Sequence, residues 1–506
     1  MKNILNKIKN YRVIGVIGLS ILFLSSSCES DLEPQNFNVI DPSTFFKTKG
    51  DAQALTNAVY DRFNSGWTGS FLNYKGFFIS DMIGGQFYIV WTPPEWVRLN
   101  DYTWSALTQT EYAETYNSTV PSVAFATNVI EDIKAIDIDE DLKTPFISQI
   151  RTARALMTLF SYDMYGPLPI VVDPNITKDP FTEFDPVRWT KDEMETFIET
   201  ELIEAQKGLV SKNELTASKY GTLTKGAAMT GLMKLYLMQK DWAKVEAITA
   251  DIMAEGYSLE ASTGSVFSAL NEANNEVIWS QPRTNNINNG PVNLTVTSSV
   301  PGTYSNENYA PGSVQGWGGL RVPWEMYDAY GETDDRKKLF PISWLNEDGD
   351  LTNYRDNGFL VSGALYLKYD IDPNRQGVSH GNDYVFYRYA DVLLARAEAL
   401  NEISALSGEA QQLVQQIRDR SNAGVIPASA LVSQSTFRDF ILLERRKELL
   451  GEGWARQDLI RHGKFIEHAK NRLLEPVPEA AEKHKLFPIP QAAINANPKI
   501  EQNPGY

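Results

Sequence analysis

At 506 residues and a formal charge of −17, with 42% hydrophobic residues, the chain is long enough to bury a large core and is too acidic to favour nucleic acid or anionic lipid headgroups, which call for Lys/Arg patches. A single cysteine excludes any internal disulfide, so the fold has to be held by packing alone. Four histidines (His380, His462, His468, His484), none in a His-Glu-x-x-His spacing, and no second cysteine argue against a transition-metal site, and no cofactor is expected.

The chain opens with basic residues (Lys2, Lys7, Lys9, Arg12), an apolar run from Val13 to Leu24 and small residues up to Cys28, the three-part layout of a secretory signal. The apolar run is too short for a membrane span, which needs about 20 residues. A lone cysteine after Leu24 and three serines predicts a bacterial lipoprotein precursor cleaved before Cys28 and acylated on its thiol. The plainer alternative is an ordinary signal peptide whose first mature residues include a cysteine. Residues 1–27 are thus expected to be a signal peptide, 28–40 an acidic solvated tether, and 41–506 a single domain.

Asp41-Pro42-Ser43 offers a helix cap before an amphipathic stretch from Phe45 to Phe63. Residues 71–100 show no helical period and are rich in Gly, Pro and aromatics, which predicts a long ordered loop. Periodicity returns over Tyr112–Ile136 and Leu142–Tyr165, and Gly166-Pro167 stops the second of these. Asp192–Leu209 is a further helix. Lys219–Gln239 and Trp242–Glu255 form a pair around a turn at Lys240-Asp241, with small residues at Ala227, Ala228, Gly231, Ala243 and Ala247. This pair resembles a tetratricopeptide-type hairpin, as do Tyr389–Asn401 and Glu409–Ser421. Phe437–Leu450 continues the series. Residues 271–383 carry short strand candidates (Glu276–Ser280, Ala364–Tyr369) in Gly-, Asn- and Pro-rich connections. The fold class is therefore mainly α, a scaffold of helical hairpins with long irregular loops and a few short strands.

Chemistry of the usual kinds is hard to find. Gly316-Trp317-Gly318-Gly319 lacks the Lys-Ser/Thr ending of a phosphate loop, and no Gly-x-Ser-x-Gly elbow occurs. Carboxylate pairs such as Asp334-Asp335 could serve a glycosidase, but in so acidic a chain they read as solvated faces. What stands out is aromatic and polar richness in two irregular stretches. Sugars present apolar C–H faces that stack on rings and hydroxyls that bond to polar side chains. The first stretch supplies Asp81, Trp91, Trp96 and Arg98 and the second Tyr304 and Trp317, which are the candidate ligand-binding residues. Trp91 and Trp96, flanking Pro93-Pro94, are expected to be the most exposed of the tryptophans, and Trp104 and Trp324 the most core-like.

The run Tyr387-Arg388-Tyr389-Ala390-Asp391-Val392-Leu393-Leu394-Ala395-Arg396-Ala397-Glu398 resembles the SusD/RagB family of outer-membrane lipoproteins from Bacteroidetes. So do Glu444-Arg445-Arg446-Lys447-Glu448-Leu449 with Glu452-Gly453, and the closing Leu486-Phe487-Pro488-Ile489-Pro490 with Asn503-Pro504-Gly505-Tyr506. Trp454-Ala455-Arg456-Gln457 departs from the family, which often has His-Arg and an aromatic pair there. The resemblance implies a non-enzymatic, surface-exposed nutrient-binding lipoprotein, anchored by lipid at Cys28 in the outer membrane. It implies a lid on a SusC-like TonB-dependent transporter, handing over glycan or, as in the RagB branch, peptide. A surface glycoside hydrolase is the alternative from another class. The motif charges read as architecture, with Arg388, Arg396, Arg456 or Arg461 as partners for Glu444 and Glu448.

Overall fold

The computed structural model describes residues 46–506 except 65–73, 109–110, 180, 182–183, 303, 307, 311–312, 346–349, 354 and 356–359. Cys28, the signal segment, the tether and the Asp41-Pro42-Ser43 cap lie outside the described residues. The first described helix, α1 (Lys49–Asn64), starts instead at Thr48, whose hydroxyl accepts from the Asp51 amide while the Asp51 carboxylate accepts from the Thr48 amide.

The stretch expected to be a loop contains α2 (Tyr74–Ile83), β1 (Tyr88–Ile89) and α3 (Pro94–Asp101). Phe78, Ile79, Met82 and Ile83 of α2 are all buried, and a helix buried on several sides shows no polar stripe for a period to reveal. Pro94 sits in the first turn of α3, a position where its missing N–H has nothing to lose.

Two long helices follow, α4 (Glu111–Ala135) and α5 (Glu140–Tyr165), then α6 (Lys191–Ala205), whose start is fixed by a capping box between Thr190 and Glu193. The next pair is α7 (Lys225–Gln239) and α8 (Trp242–Ala254), turned at Lys240 in the left-handed conformation. Helix α7 begins six residues later than expected, because 212–219 forms two 3₁₀ turns. Consecutive helices pack side by side from α4 through α8. Gly231 explains one close approach: a Cβ there would stand 2.8 Å from Leu156 of α5 and 3.1 Å from Leu202 of α6. Arg154 of α5, buried between neighbours, donates to Glu201 of α6 at 2.5 and 2.9 Å.

The irregular region holds β2 (Val277–Gln281), α9 (Thr295–Ser299), β3 (Leu320–Arg321), α10 (Trp324–Asp328), β4 (Ser343–Leu345) and β5 (Leu351–Asn353). Strand β6 (Tyr384–Arg388) pairs antiparallel with β2, Val277 opposite Arg388 and Gln281 opposite Tyr384. All five β6 residues are buried, so it has no alternation to betray it, and the sequence reading missed it. Of the expected strand at Ala364–Tyr369 only a single bridge from Ala364 to Val322 forms. Helices α11 (Tyr389–Ile403) and α12 (Gly408–Arg420) make the second hairpin, with α11 packed on α8. Then come α13 (Gln434–Glu448), α14 (Ala455–Arg461) and α15 (Phe465–Asn471).

Two buried ion networks tie these parts together. Arg388 reaches Glu276, Glu448 and Glu452, each at 2.7 Å, and Lys368 joins Glu452 at 2.5 Å. On the neighbouring face of α13, Arg445 meets Asp391 and Asp458 at 2.9 Å, and Arg461 meets Glu398 at 2.6 Å. The expectation for Glu448 and Arg388 holds. Glu444 pairs instead with Arg336 and Arg418, while Arg396 goes to Glu409 and Arg456 to Asp163. Among the described residues no helix is long and apolar enough to cross a membrane.

Candidate functional site

The two aromatic stretches meet because β1 and β3 pair antiparallel, Tyr88 opposite Arg321 and Ile89 opposite Leu320. The ladder runs one step further, the Val90 amide donating to the Gly319 carbonyl at 2.9 Å. Asn100 of α3 braces β1 from behind, its side-chain amide donating to the Ile89 carbonyl at 2.8 Å. Trp91 leaves this ladder and lies against both Trp96 of α3 and Trp317, with ring centroids 5.8 and 6.2 Å away. Its face rests on Gly319, where a Cβ would stand 1.9 Å from the indole. Only glycine admits the ring here.

Trp317 is 38% exposed and Trp91 half-buried, whereas Trp96 is only 5% exposed. Val90 and Val97, the chain neighbours of Trp91 and Trp96, are also exposed. The result is a contiguous aromatic and aliphatic surface with Trp96 as its underlay. Trp96 is thus not among the exposed tryptophans: α3 turns it, with Leu99 and Asn100, toward the core.

The loop beneath Trp317 is held stiffly. The amides of Trp317, Gly318 and Gly319 donate to the carbonyls of Thr297, Val300 and Ser298 at 2.7, 2.9 and 2.7 Å, satisfying the open C-terminal end of α9. Gly316 passes so close that a Cβ would meet the Val300 carbonyl at 2.0 Å, and Gly318 adopts φ +62°. Arg321, fully buried, donates to the carbonyls of Gly318 and Leu320 at 2.7 Å and of Ser299 at 3.1 Å. Burial lowers its pKa to about 10, which still leaves it charged at neutral pH. The sequence reading missed Gly319 as the seat for Trp91 and Arg321 as the clamp, since both roles depend on contacts across the β1–β3 ladder.

The other candidates do not join this surface. Asp81 of α2 is fully buried, and its carboxylate accepts from the amides of Gly451 (2.8 Å), Gly453 and Ala455 (both 3.1 Å). It holds the turn that leads into α14, out of reach of any ligand at the tryptophans. Burial pushes its carboxyl up to about 7 in spite of those three donors. Tyr304 is 3% exposed, with its hydroxyl taken by Asn306. Arg98 is half-buried on α3, two residues from Trp96 and so on another face of the helix. Trp324, expected in the core, is half-exposed, with Arg355 stacked on its ring at 4.4 Å.

Residues 346–506 match the SusD family model, the span that holds both ion networks' motifs and follows the tryptophan surface in sequence. Over the whole length the chain is 26% identical to SusD-like protein P38 of Formosa agariphila, covering 99% of this chain and 100% of that protein. The C-terminal third of the chain thus matches the SusD family, and the chain as a whole is similar to SusD-like proteins. It is 23% identical to the starch-binding protein SusD of Bacteroides thetaiotaomicron, over 71% of this chain and 72% of that one. Among solved structures, a laminarin-binding SusD-like protein superposes with a TM-score of 0.75 at 22% identity, covering 91% of this chain and 100% of the other. Surface glycan-binding protein A from Bacteroides thetaiotaomicron, solved with laminarihexaose, gives 0.73 at 18%, covering 90% and 99%. At these identities the likeness establishes the shared fold, a mainly helical scaffold of hairpins.

Proposed function

We propose that this chain is a non-catalytic, SusD-like glycan-binding lipoprotein of the cell surface. It captures oligo- or polysaccharide on the Trp91–Trp317 surface and passes it to a SusC-like TonB-dependent barrel in the outer membrane, to which acylated Cys28 keeps it close. The observation that carries this reading is Trp317, exposed on a backbone pinned by three amides and Arg321, next to Trp91. A ring presented on rigid backbone stacks on a sugar face without having to be ordered first, so little affinity is lost to conformational entropy. The relatives that bind starch and laminarin support glycan as the ligand class.

Affinity electrophoresis of the full chain in gels containing laminarin, starch or other polysaccharides tests this. At least one gel should retard the protein, and Trp317→Ala should cost about 2 kcal/mol, roughly thirtyfold in affinity, with the melting temperature nearly unchanged. Equal retardation of wild type and variant in every gel would remove the surface from the proposal. Release of reducing ends from the retarding polysaccharide would replace the binding protein by a hydrolase.

A further inference from the structure

Several carboxylates inside this protein have a cation of their own: Glu201 has Arg154, Glu398 has Arg461 and Glu448 has Arg388. Glu272 does not. It is half-buried in the connection that leads into β2, its Oε1 accepts from the Asp383 amide at 3.2 Å, and no Lys or Arg among the described residues pairs with it. Its charged surroundings are Asp383, Asp372 and Asp370, and burial together with these neighbours pushes its carboxyl up to about 7. Asp383 behind it is engaged by the hydroxyls of Tyr220 and Ser280 and by the Arg283 amide.

Glu272 lines a cleft of about 320 Å³ between the 3₁₀ turns at 212–219 and β2, within the size range of small-molecule sites. Leu215, Ala217, Tyr220 and Val277 supply much of its wall. Lys212 lies on the same cleft, but its ammonium donates to the Gly256 carbonyl at 2.7 Å and to Asn275 at 3.1 Å over the Tyr257 ring, so it is committed elsewhere. A carboxylate drawn out of water without a partner is costly, and a ligand that brings the missing cation recovers a charge-assisted hydrogen bond.

We propose that this cleft binds a small organic cation, a primary ammonium on an apolar body, with the ammonium at Glu272 and the body against Leu215, Tyr220 and Val277. A metal ion fits less well, because no group of three His, Cys, Asp or Glu among the described residues is placed to ligate one, and the walls are largely carbon. The site is separate from the tryptophan surface and stands or falls independently of the glycan reading.

Phenethylammonium chloride titrated into the full chain, followed by calorimetry and tryptophan fluorescence, is the test. Binding should saturate, and 2-phenylethanol, the same body without the charge, should bind at least tenfold more weakly. Glu272→Gln keeps an oxygen for the Asp383 amide, so it should fold normally, retain the wild-type behaviour in polysaccharide gels and lose at least tenfold in affinity for phenethylammonium. No saturable binding overturns the proposal, as does equal affinity for the alcohol or for the variant. A Glu272-dependent rise in melting temperature with calcium chloride, in the absence of any phenethylammonium effect, would make the cleft a metal site and overturn it equally.

Discussion

Trp96 and Trp317 belong to one aromatic cluster yet meet different surroundings, 5% against 38% exposed, and that difference sets opposite consequences for their removal. Truncating Trp96 opens a cavity under α3, which for a buried tryptophan costs about 3–5 kcal/mol. Trp96→Ala should therefore melt early, and the fraction that stays folded should still bind, which thermal denaturation with and without glycan would reveal. Unchanged melting with abolished binding would instead make Trp96 a contact. Residue-level reading of the sequence placed Trp317 in an aromatic loop between glycines, and the structure leaves that ring exposed. It failed at Asp81, because a lone acid in an apolar stretch looks like a ligand contact. Its acceptor role is created by the amides of Gly451, Gly453 and Ala455, some 370 positions away.

At the scale of elements, the tryptophan surface is mounted on two strands of two residues each, too short for any alternation to show in sequence, and the preceding α2 is buried on several sides, which hides its period. The long helices were legible because their apolar and small residues run over many turns, even in α7, which is buried on all sides. The β1–β3 ladder and α9 act as a single mount for Trp91 and Trp317, and Gly319 is where the mount touches the ring. Gly319→Val places carbon 1.9 Å from the Trp91 indole, so the ring has to leave its seat. Because Trp91 and Trp317 lie at the surface, displacing them should cost little global stability. Glycan affinity should fall at least tenfold while the melting temperature drops by only a few degrees. A variant that binds as well as wild type would show that the Trp91 position is immaterial to the ligand.

Across the whole molecule, the motifs that carry the resemblance to the SusD family turn out to be the charge framework of the core. The sequence revealed which residues were charged and helical, but not that Glu444 would find Arg336 and Arg418, since such pairs are set by tertiary approach and no local period records them. Charges this deeply buried make stability depend on pH, and two fully buried groups outside the networks do so in opposite directions. His380, its ring held down to about 4 chiefly by burial, stays neutral in the folded chain while the unfolded chain takes up a proton near pH 6.5. Its contribution is complete above pH 6.5 and is lost as pH falls toward 4, by about 1.4 kcal/mol per pH unit.

Asp81, raised from 3.8 to about 7, behaves conversely: the folded chain holds a proton that the unfolded chain has released, so stability from this group grows as pH falls from 7 toward 4. The two windows overlap, and each group masks the other in the wild type. His380→Asn, which keeps an acceptor for the Asp372 amide now bound to Nδ1 at 3.3 Å, should make the protein gain stability on acidification relative to wild type. Asp81→Asn should be less stable than wild type throughout, because one of its three amides loses its acceptor at about 1–3 kcal/mol, and the deficit should widen as pH falls from 7 to 4. Denaturant midpoints of the three proteins at pH 4, 5, 6 and 7 give both difference curves directly. Parallel curves would mean that neither group titrates in the window its burial dictates, and curves of the same sign would mean that Asp81 stays ionised on its three amide donors.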